Sequence, residues 1–340
     1  MKIAILSPIA WRTPPTHYGP WEQVASNIAE GLIAKGFDVT LFATQDSITK
    51  GTLDAIIPKG YEEDKELEPK VSECLHISNV MEKAKTFDII HNNFDFLPLT
   101  YSKLITTPMV TTIHGFSSPK IIPVFKKYND NNYYVSISNA DRSPELNYIA
   151  TVYNGIDSQY FTFKEKPADY LLYFGRIHHD KGTYEAIQIA RKAKMRLIIS
   201  GIIQDRQYFD EKVAPSLNGD DIVYIGSSGP QKRDELLGKA FALLHPVNFN
   251  EPFGLSVAEA MFCGTPVIAF NKGAMSELIV DGKTGFLVNS VDEACEKIKA
   301  IQGISRAFCR QWAENNFSKE KMTEAYIAVY ENILAGGCTR

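Results

Sequence analysis

Glu251-Pro252-Phe253-Gly254-Leu255-Ser256-Val257-Ala258-Glu259 sets two carboxylates on either side of a Pro-x-Gly turn and a short apolar run. Ala260, Met261 and Phe262 extend that run. A Pro-x-Gly turn ahead of an alanine-rich apolar stretch predicts a loop feeding a buried helix, from about Gly254 to Phe262. The first backbone N–H groups of such a helix lack intrahelical partners and face the loop, so its mouth suits an anion. Glu251 stands just ahead of that mouth and Glu259 lies in the second turn. A carboxylate at each end of an anion-binding turn suits a ligand with a diphosphate between hydroxylated rings, as in a nucleotide sugar. Two solvated glutamates are the plain alternative. The apolar setting of Glu259 weighs against it, because a carboxylate on a buried helix needs a partner.

Outward from this segment, strand-like and helical patterns alternate. In the first half Lys2–Ser7, Val39–Ala43, Phe87–His91, Met109–His114, Tyr133–Ile137 and Ile149–Tyr153 read as strands. Val24, Ile28 and Leu32 recur at helical spacing and end at Gly36, a C-cap residue. In the second half Tyr170–Phe174, Arg196–Ser200, Ile222–Ile225, Ala242–His245 and Pro266–Ala269 read as strands, with helices near Tyr184–Ala193, Lys232–Lys239 and Leu255–Phe262. β-branched runs separated by helices imply parallel sheets covered on both faces. The expected fold is α/β, with two Rossmann-like doubly wound domains facing across a cleft. The first covers residues 1–157 and the second 158–318, with a linker in the polar stretch Ser158–Asp169. A final helix, about 319–335, crosses back to the first domain. Binding loops then lie at the strand C-terminal ends.

Gly175-Arg176…Lys181-Gly182 follows a strand and precedes a helix. Arginine offers a planar fork and lysine a point charge, so the two can converge on one diphosphate. That places charge where a departing nucleoside diphosphate develops it. A solvated loop with two exposed cations is the alternative. His178 and His179 stand in the same loop, but adjacent histidines rarely converge on one ion, and no metal site is expected. Tyr18-Gly19-Pro20-Trp21-Glu22 opens the first helix: Gly19 admits close backbone approach and Pro20 suits the first helical position. It is not GxGxxG, which disfavours a nicotinamide-dependent dehydrogenase. His114 ends a strand ahead of Gly115 and can bond a sugar hydroxyl as a neutral imidazole. His91-Asn92-Asn93 ends the neighbouring strand with amides able to bind polyols. Asn154-Gly155-Ile156-Asp157 reads as a tight turn at the hinge.

Together these pieces resemble the retaining glycosyltransferases of family 4, with the GT-B fold. The motifs already quoted stand in the family's order, followed by Gly264-Thr-Pro-Val-Ile and Ser276-Glu277…Gly282-Lys-Thr-Gly285. The resemblance implies that Arg176 and Lys181 hold the donor diphosphate. It implies that Glu259 binds the ribose, Glu251 the sugar hydroxyls, and the Phe253-Gly254-Leu255 backbone the sugar and phosphate. Gly19 would approach the diphosphate and His114 the donor sugar. Pro20 departs from the family, where a second glycine often follows Gly19, and removes one N–H. The implied reaction moves a hexose from a nucleotide diphosphate sugar, UDP-glucose first and GDP-mannose second, to a hydroxyl acceptor. It proceeds by front-face displacement, without metal or cofactor, gated by domain closure. The acceptor stays open among glycan, lipid-linked sugar and small molecule. A nucleotide-sugar 2-epimerase and a catalytically inactive binding subunit are the alternatives.

The whole-chain properties agree with such an enzyme. The 340 residues suggest two domains, and 44% hydrophobic with 22% charged residues is ordinary for a soluble protein. A net charge of −4 argues against a nucleic-acid partner. No apolar run approaches a membrane span, and the five cysteines, odd in number and scattered, read as reduced thiols of a cytoplasmic protein. Lys120, Lys126 and Lys127 among Ile121, Ile122, Val124 and Phe125 read first as a solvated helix face. Peripheral contact with the inner face of a membrane is the second reading.

Overall fold

The computed structural model describes residues 1–116 and 118–337. The described chain divides into two compact units. The first holds Met1–Gly155 and the segment that starts at Lys319; the second holds Ile156–Ser318.

The first unit is built on Lys2–Leu6 (β1), Asp38–Thr44 (β2), Thr52–Ile57 (β3), Ile89–Asn92 (β4), Met109–Ile113 (β5), Tyr133–Ser136 (β6) and Tyr148–Thr151 (β7). These form one parallel sheet in the order β3-β2-β1-β4-β5-β6-β7. Ile3, Ala4, Ile5 and Leu6 of β1 are all fully buried, as a strand covered on both faces must be. One face carries Leu6, Phe42, Ile90, Met109 and Tyr134 against Ile77, Val80 and Met81 of the Pro69–Glu82 helix.

The Lys319–Leu334 helix belongs to this unit and buries Met322, Tyr326, Tyr330 and Ile333. Its tyrosines fix a polar ladder: Tyr330 Oη lies 2.6 Å from His91 Nδ1, and Tyr326 Oη 2.7 Å from Thr112 Oγ1. His91 Nε2 closes the ladder on the same Thr112 oxygen at 2.7 Å. Gly31 on the Pro20–Ala34 helix lets this helix approach closely, since a Cβ there would sit 2.0 Å from Thr323 Oγ1.

The second unit is built on Tyr170–Phe174 (β8), Arg196–Ser200 (β9), Ile222–Tyr224 (β10), Ala242–His245 (β11), Val267–Phe270 (β12) and Gly285–Val288 (β13). The order is β10-β9-β8-β11-β12-β13, again parallel. Both sheets therefore reverse direction beside their first strand, between β1 and β4 and between β8 and β11. In open α/β sheets, ligands bind outside the strand C-terminal ends at that reversal. Both units are Rossmann-like.

Several elements differ from the sequence expectation. The Pro69–Glu82 helix escapes periodicity because Ser72, His76 and Asn79 are buried beside Ile77, Val80 and Met81 while Val71 and Leu75 are exposed. β3 is a half-exposed edge strand, so it lacks a continuous apolar run. The Ser158–Asp169 stretch is not a free linker. Phe161 is buried, Lys164 N donates to Cys263 O at 3.1 Å, and Ala168 N donates to Lys239 O at 2.7 Å. The chain passes from one unit to the other at Gly155–Ile156: Gly155 O accepts from Asn27 Nδ2, and Ile156 N donates to Phe317 O.

Among the described residues no helix is long and apolar enough to cross a membrane. Cys74, Cys263, Cys295 and Cys309 are free thiols, and Cys338 lies outside the described residues. In the Ile122–Lys127 helix Phe125 is buried, and exposed Lys126 pairs with Glu145.

Candidate functional site

In the second unit the loops after β8 and β11 meet at the sheet reversal. The loop after β8 turns at Gly182, whose φ is 71° and whose Cβ, if present, would lie 1.9 Å from Pro246 O. Only glycine fits that contact in that conformation. The close approach seats Lys181 against the β11 loop, where Lys181 Nζ donates to Glu251 Oε2 at 2.5 Å. His245, the last residue of β11, places Nε2 3.3 Å from the same oxygen. Phe249 lies under the ammonium, 4.6 Å from Nζ to the ring centroid.

Glu251 is buried, which on its own would push its carboxyl up. Lys181 and His245 outweigh burial and hold it down at about 2. Glu251 is thus an ionised carboxylate with one oxygen committed to Lys181, rather than one open to hydroxyls on both oxygens. Its backbone is held as well: Ala274 N donates to Glu251 O, and a Cβ on Gly273 would clash with Glu251 at 2.3 Å.

The helix expected from Gly254 runs Leu255–Phe262, with Gly254 as its N-cap at φ 98°. Gly254, at the helix mouth, lies beside Glu251, whose Cγ would be 3.7 Å from a Cβ there. The Phe253 side chain belongs to the core, 2% exposed and edge-on to Phe317, so only its backbone can meet a ligand. Glu259 is buried in the second turn, and burial raises its carboxyl while Arg233 opposes the rise. Arg233 Nη1 lies 3.4 Å from Glu259 Oε1. Arg233 is a neighbour of Glu259 that sequence reading missed, because Gln231-Lys-Arg-Asp-Glu235 looks like a solvated charged face. Arg176 does not join Lys181 on a shared partner. It is half-buried and donates instead to Gln204 Oε1, on the loop after β9.

His178, His179 and Asp205 bring ligand atoms within 4.8 Å of one another, so Asp205 completes a set that the sequence reading did not see. His179 already meets Asp180 at 3.0 Å and Asp205 at 3.3 Å, and His178 Nδ1 accepts from Asp180 N. The set is accounted for as side-chain contacts between neighbours and a local turn.

Gly19 and His114 lie in the first unit. Gly19 caps the Pro20–Ala34 helix at φ 149°, and a Cβ there would meet Glu22 Oε2 and Pro15 Cβ at 2.9 Å. Burial raises the Glu22 carboxyl to about 7, against the opposing N–H of Trp11. A carboxyl raised from 4.5 on folding stabilises the fold fully below pH 4.5, and that contribution is lost as pH rises through about 7. Glu22→Gln is expected to remove this loss, worth about 3 kcal/mol. Urea unfolding at pH 5 and pH 8 would show it: wild type weakens across the interval relative to the variant. An equal pH response in both proteins contradicts the assignment. His114 is buried and burial lowers its pKa to about 3, so the ring is neutral. Its Nε2 lies 3.0 Å from Asn93 Oδ1 and its ring stacks on Trp21.

Residues 157–318 match the family model described as Glycosyl transferases group 1. Glycogen synthase of Mycobacterium tuberculosis (strain CDC 1551 / Oshkosh) is 27% identical over 206 residues, which cover 55% of this chain and 49% of that protein. The chain spans about half the length of the curated relatives it matches. Sucrose-phosphate synthase from Thermosynechococcus elongatus superposes with a TM-score of 0.77 at 18% identity, over 99% of this chain and 100% of that one. The Anabaena protein HepE, solved in complex with UDP and glucose, gives 0.73 at 19% identity, over 97% and 99%. At these identities the likeness shows the fold, two Rossmann-like units in the GT-B architecture.

Proposed function

We propose that this protein is a retaining glycosyltransferase of family 4 that moves a hexose from a nucleotide diphosphate sugar to a hydroxyl acceptor. The observation that carries the reading is the Lys181–Glu251 pair at the second sheet's reversal, beside the Gly254 helix mouth. An ammonium and a helix N-terminus at one point supply a diphosphate with a point charge and N–H donors. The match of residues 157–318 to the group 1 glycosyl transferases supports it. UDP-glucose is the first donor proposed and GDP-mannose the second; HepE's complex with UDP and glucose supports the first. The acceptor is assigned to the first unit and is a glycan, a lipid-linked sugar or a small molecule.

The chemistry follows from these residues. Lys181, held extended by Glu251, and Arg176 receive the charge that accumulates as the glycosidic C–O bond to the diphosphate breaks. The acceptor oxygen bonds to the anomeric carbon on the face the diphosphate leaves. The acceptor proton passes to the departing phosphate oxygen, so charge and atoms balance without an enzyme nucleophile. Glu259, paired with Arg233, binds the ribose hydroxyls. No metal is needed where lysine, arginine and a helix N-terminus carry the neutralisation.

Proton NMR of the product, formed from UDP-glucose and an acceptor panel with EDTA present, tests this reading. Retained anomeric configuration at undiminished rate is expected. Inversion, or loss of activity to EDTA that added divalent cation restores, contradicts it.

A further inference from the structure

We propose that Asn93 is a positioning residue that fixes His114 with its proton on Nε2, leaving the lone pair of Nδ1 to accept a hydrogen bond from a ligand hydroxyl. Naming that hydroxyl as a sugar's rests on the function proposed above.

The topology creates the pair. β4 ends at Asn92 and β5 at Ile113, and the two strands are neighbours, so the residues just past their ends meet. Asn93 is pinned through its backbone, whose N–H donates to Leu6 O at 2.9 Å. Its Oδ1 lies 3.0 Å from His114 Nε2. A carboxamide oxygen carries no proton, so Nε2 must donate. Burial keeps the ring neutral, so the second nitrogen holds a lone pair. Trp21 stacks on the ring at 5.6 Å between centroids and 24° between planes, which fixes its remaining freedom.

Asn93 is fully buried and His114 is 7% exposed, yet Asn93 Nδ2 and His114 Nδ1 have no partner among the described residues. Buried polar atoms left so are costly, and a native fold usually satisfies them. The two atoms lie on opposite sides of the His114–Asn93 contact, so each takes a separate partner: a ligand hydroxyl donates to Nδ1, and a second acceptor takes the Nδ2 proton. His91, equally buried in the same unit, is the internal contrast: Tyr330 and Thr112 take both of its nitrogens. His91 is saturated by the fold, and His114 retains a valence for a ligand.

The test reads the tautomer directly, by long-range proton–nitrogen correlation spectra of the ligand-free protein, with His114→Gln used to assign the His114 signals. Wild type is expected to show the Nε2–H form alone. Asn93→Asp should keep that form, because a carboxylate also only accepts. Asn93→Leu should yield a mixture of both tautomers, while the His91 signals stay unchanged and report an intact fold. An Nδ1–H tautomer in wild type overturns the proposal, as does a His114 signal indifferent to Asn93→Leu. Should Asn93→Leu fail to fold, wild type and Asn93→Asp decide the matter. The measurement needs no nucleotide sugar, so its failure is separate from failure of the proposed function.

Discussion

Lys181→Ala is expected to lower kcat/KM for sugar transfer by about 10²–10³-fold, the loss seen when one preorganised group is removed from a developing negative charge. The same change leaves Glu251 buried without its main partner. Breaking a buried ion pair from one side costs about 3–5 kcal/mol, because the remaining charge stays desolvated. The two effects are separable. In Lys181→Ala/Glu251→Gln the orphaned charge is gone, so stability should largely return while activity stays lost. Urea unfolding with steady-state kinetics on the single and double variants checks this. Recovery of both together would make the pair structural and remove Lys181 from catalysis. The acid limb carries the same signature. Glu251 is depressed from 4.5 to about 2 on folding, so the pair stabilises above pH 4.5 and its contribution is lost as pH falls towards 2. Lys181→Ala should move that loss to higher pH.

Arg306→Met is expected to be the most destabilising single change in the second unit. The Arg306 side chain is 9% exposed by residue and its guanidinium donates to four oxygens: Lys164 O at 2.7 Å, Ala240 O at 3.0 Å, Gly238 O at 2.6 Å and Thr265 Oγ1 at 2.7 Å. It ties the segment after Phe161, the end of the Pro230–Lys239 helix and the turn before β12 into one body. Methionine approximates the stem but leaves buried carbonyls unsatisfied, at a cost of about 3–5 kcal/mol. A drop in thermal midpoint with nucleotide affinity retained below that midpoint is the expected result. An unchanged midpoint would mean that solvent or neighbouring side chains replace those bonds.

Much of the fold could be read from residues whose role is repetitive. Strands such as Ile3-Ala-Ile-Leu6 and Val267-Ile-Ala-Phe270, buried on both faces, show uninterrupted apolar runs, while the equally buried β4 and β5 carry His91, Asn92, Thr111 and Thr112 among theirs. The Leu255–Phe262 helix, with Glu259 inside it, was legible because its turn residues and apolar run agree. What the sequence hid were contacts made across elements. Nothing local to Arg233 shows that it faces Glu259, and nothing in the β8 loop shows that Gly182 abuts Pro246 and steers Lys181 to Glu251. Arg176 and Lys181 share a loop, yet one bonds Gln204 and the other Glu251. Spacing along a loop does not fix side-chain direction when Tyr173 Oη and Gly182 shape its two ends separately. Asn93 and His114 show the converse: each was legible as a polar strand end, but only strand adjacency reveals that they are one unit.

Calorimetric titration of wild type and Lys181→Ala with UDP, GDP and ADP, in EDTA, decides whether Lys181 holds a nucleoside diphosphate. Wild type is expected to bind one nucleoside diphosphate selectively, and the variant to bind it at least tenfold more weakly, roughly the loss of a charge-assisted contact. Binding of no nucleotide by a protein shown to be folded, or equal affinity in both proteins, would contradict it.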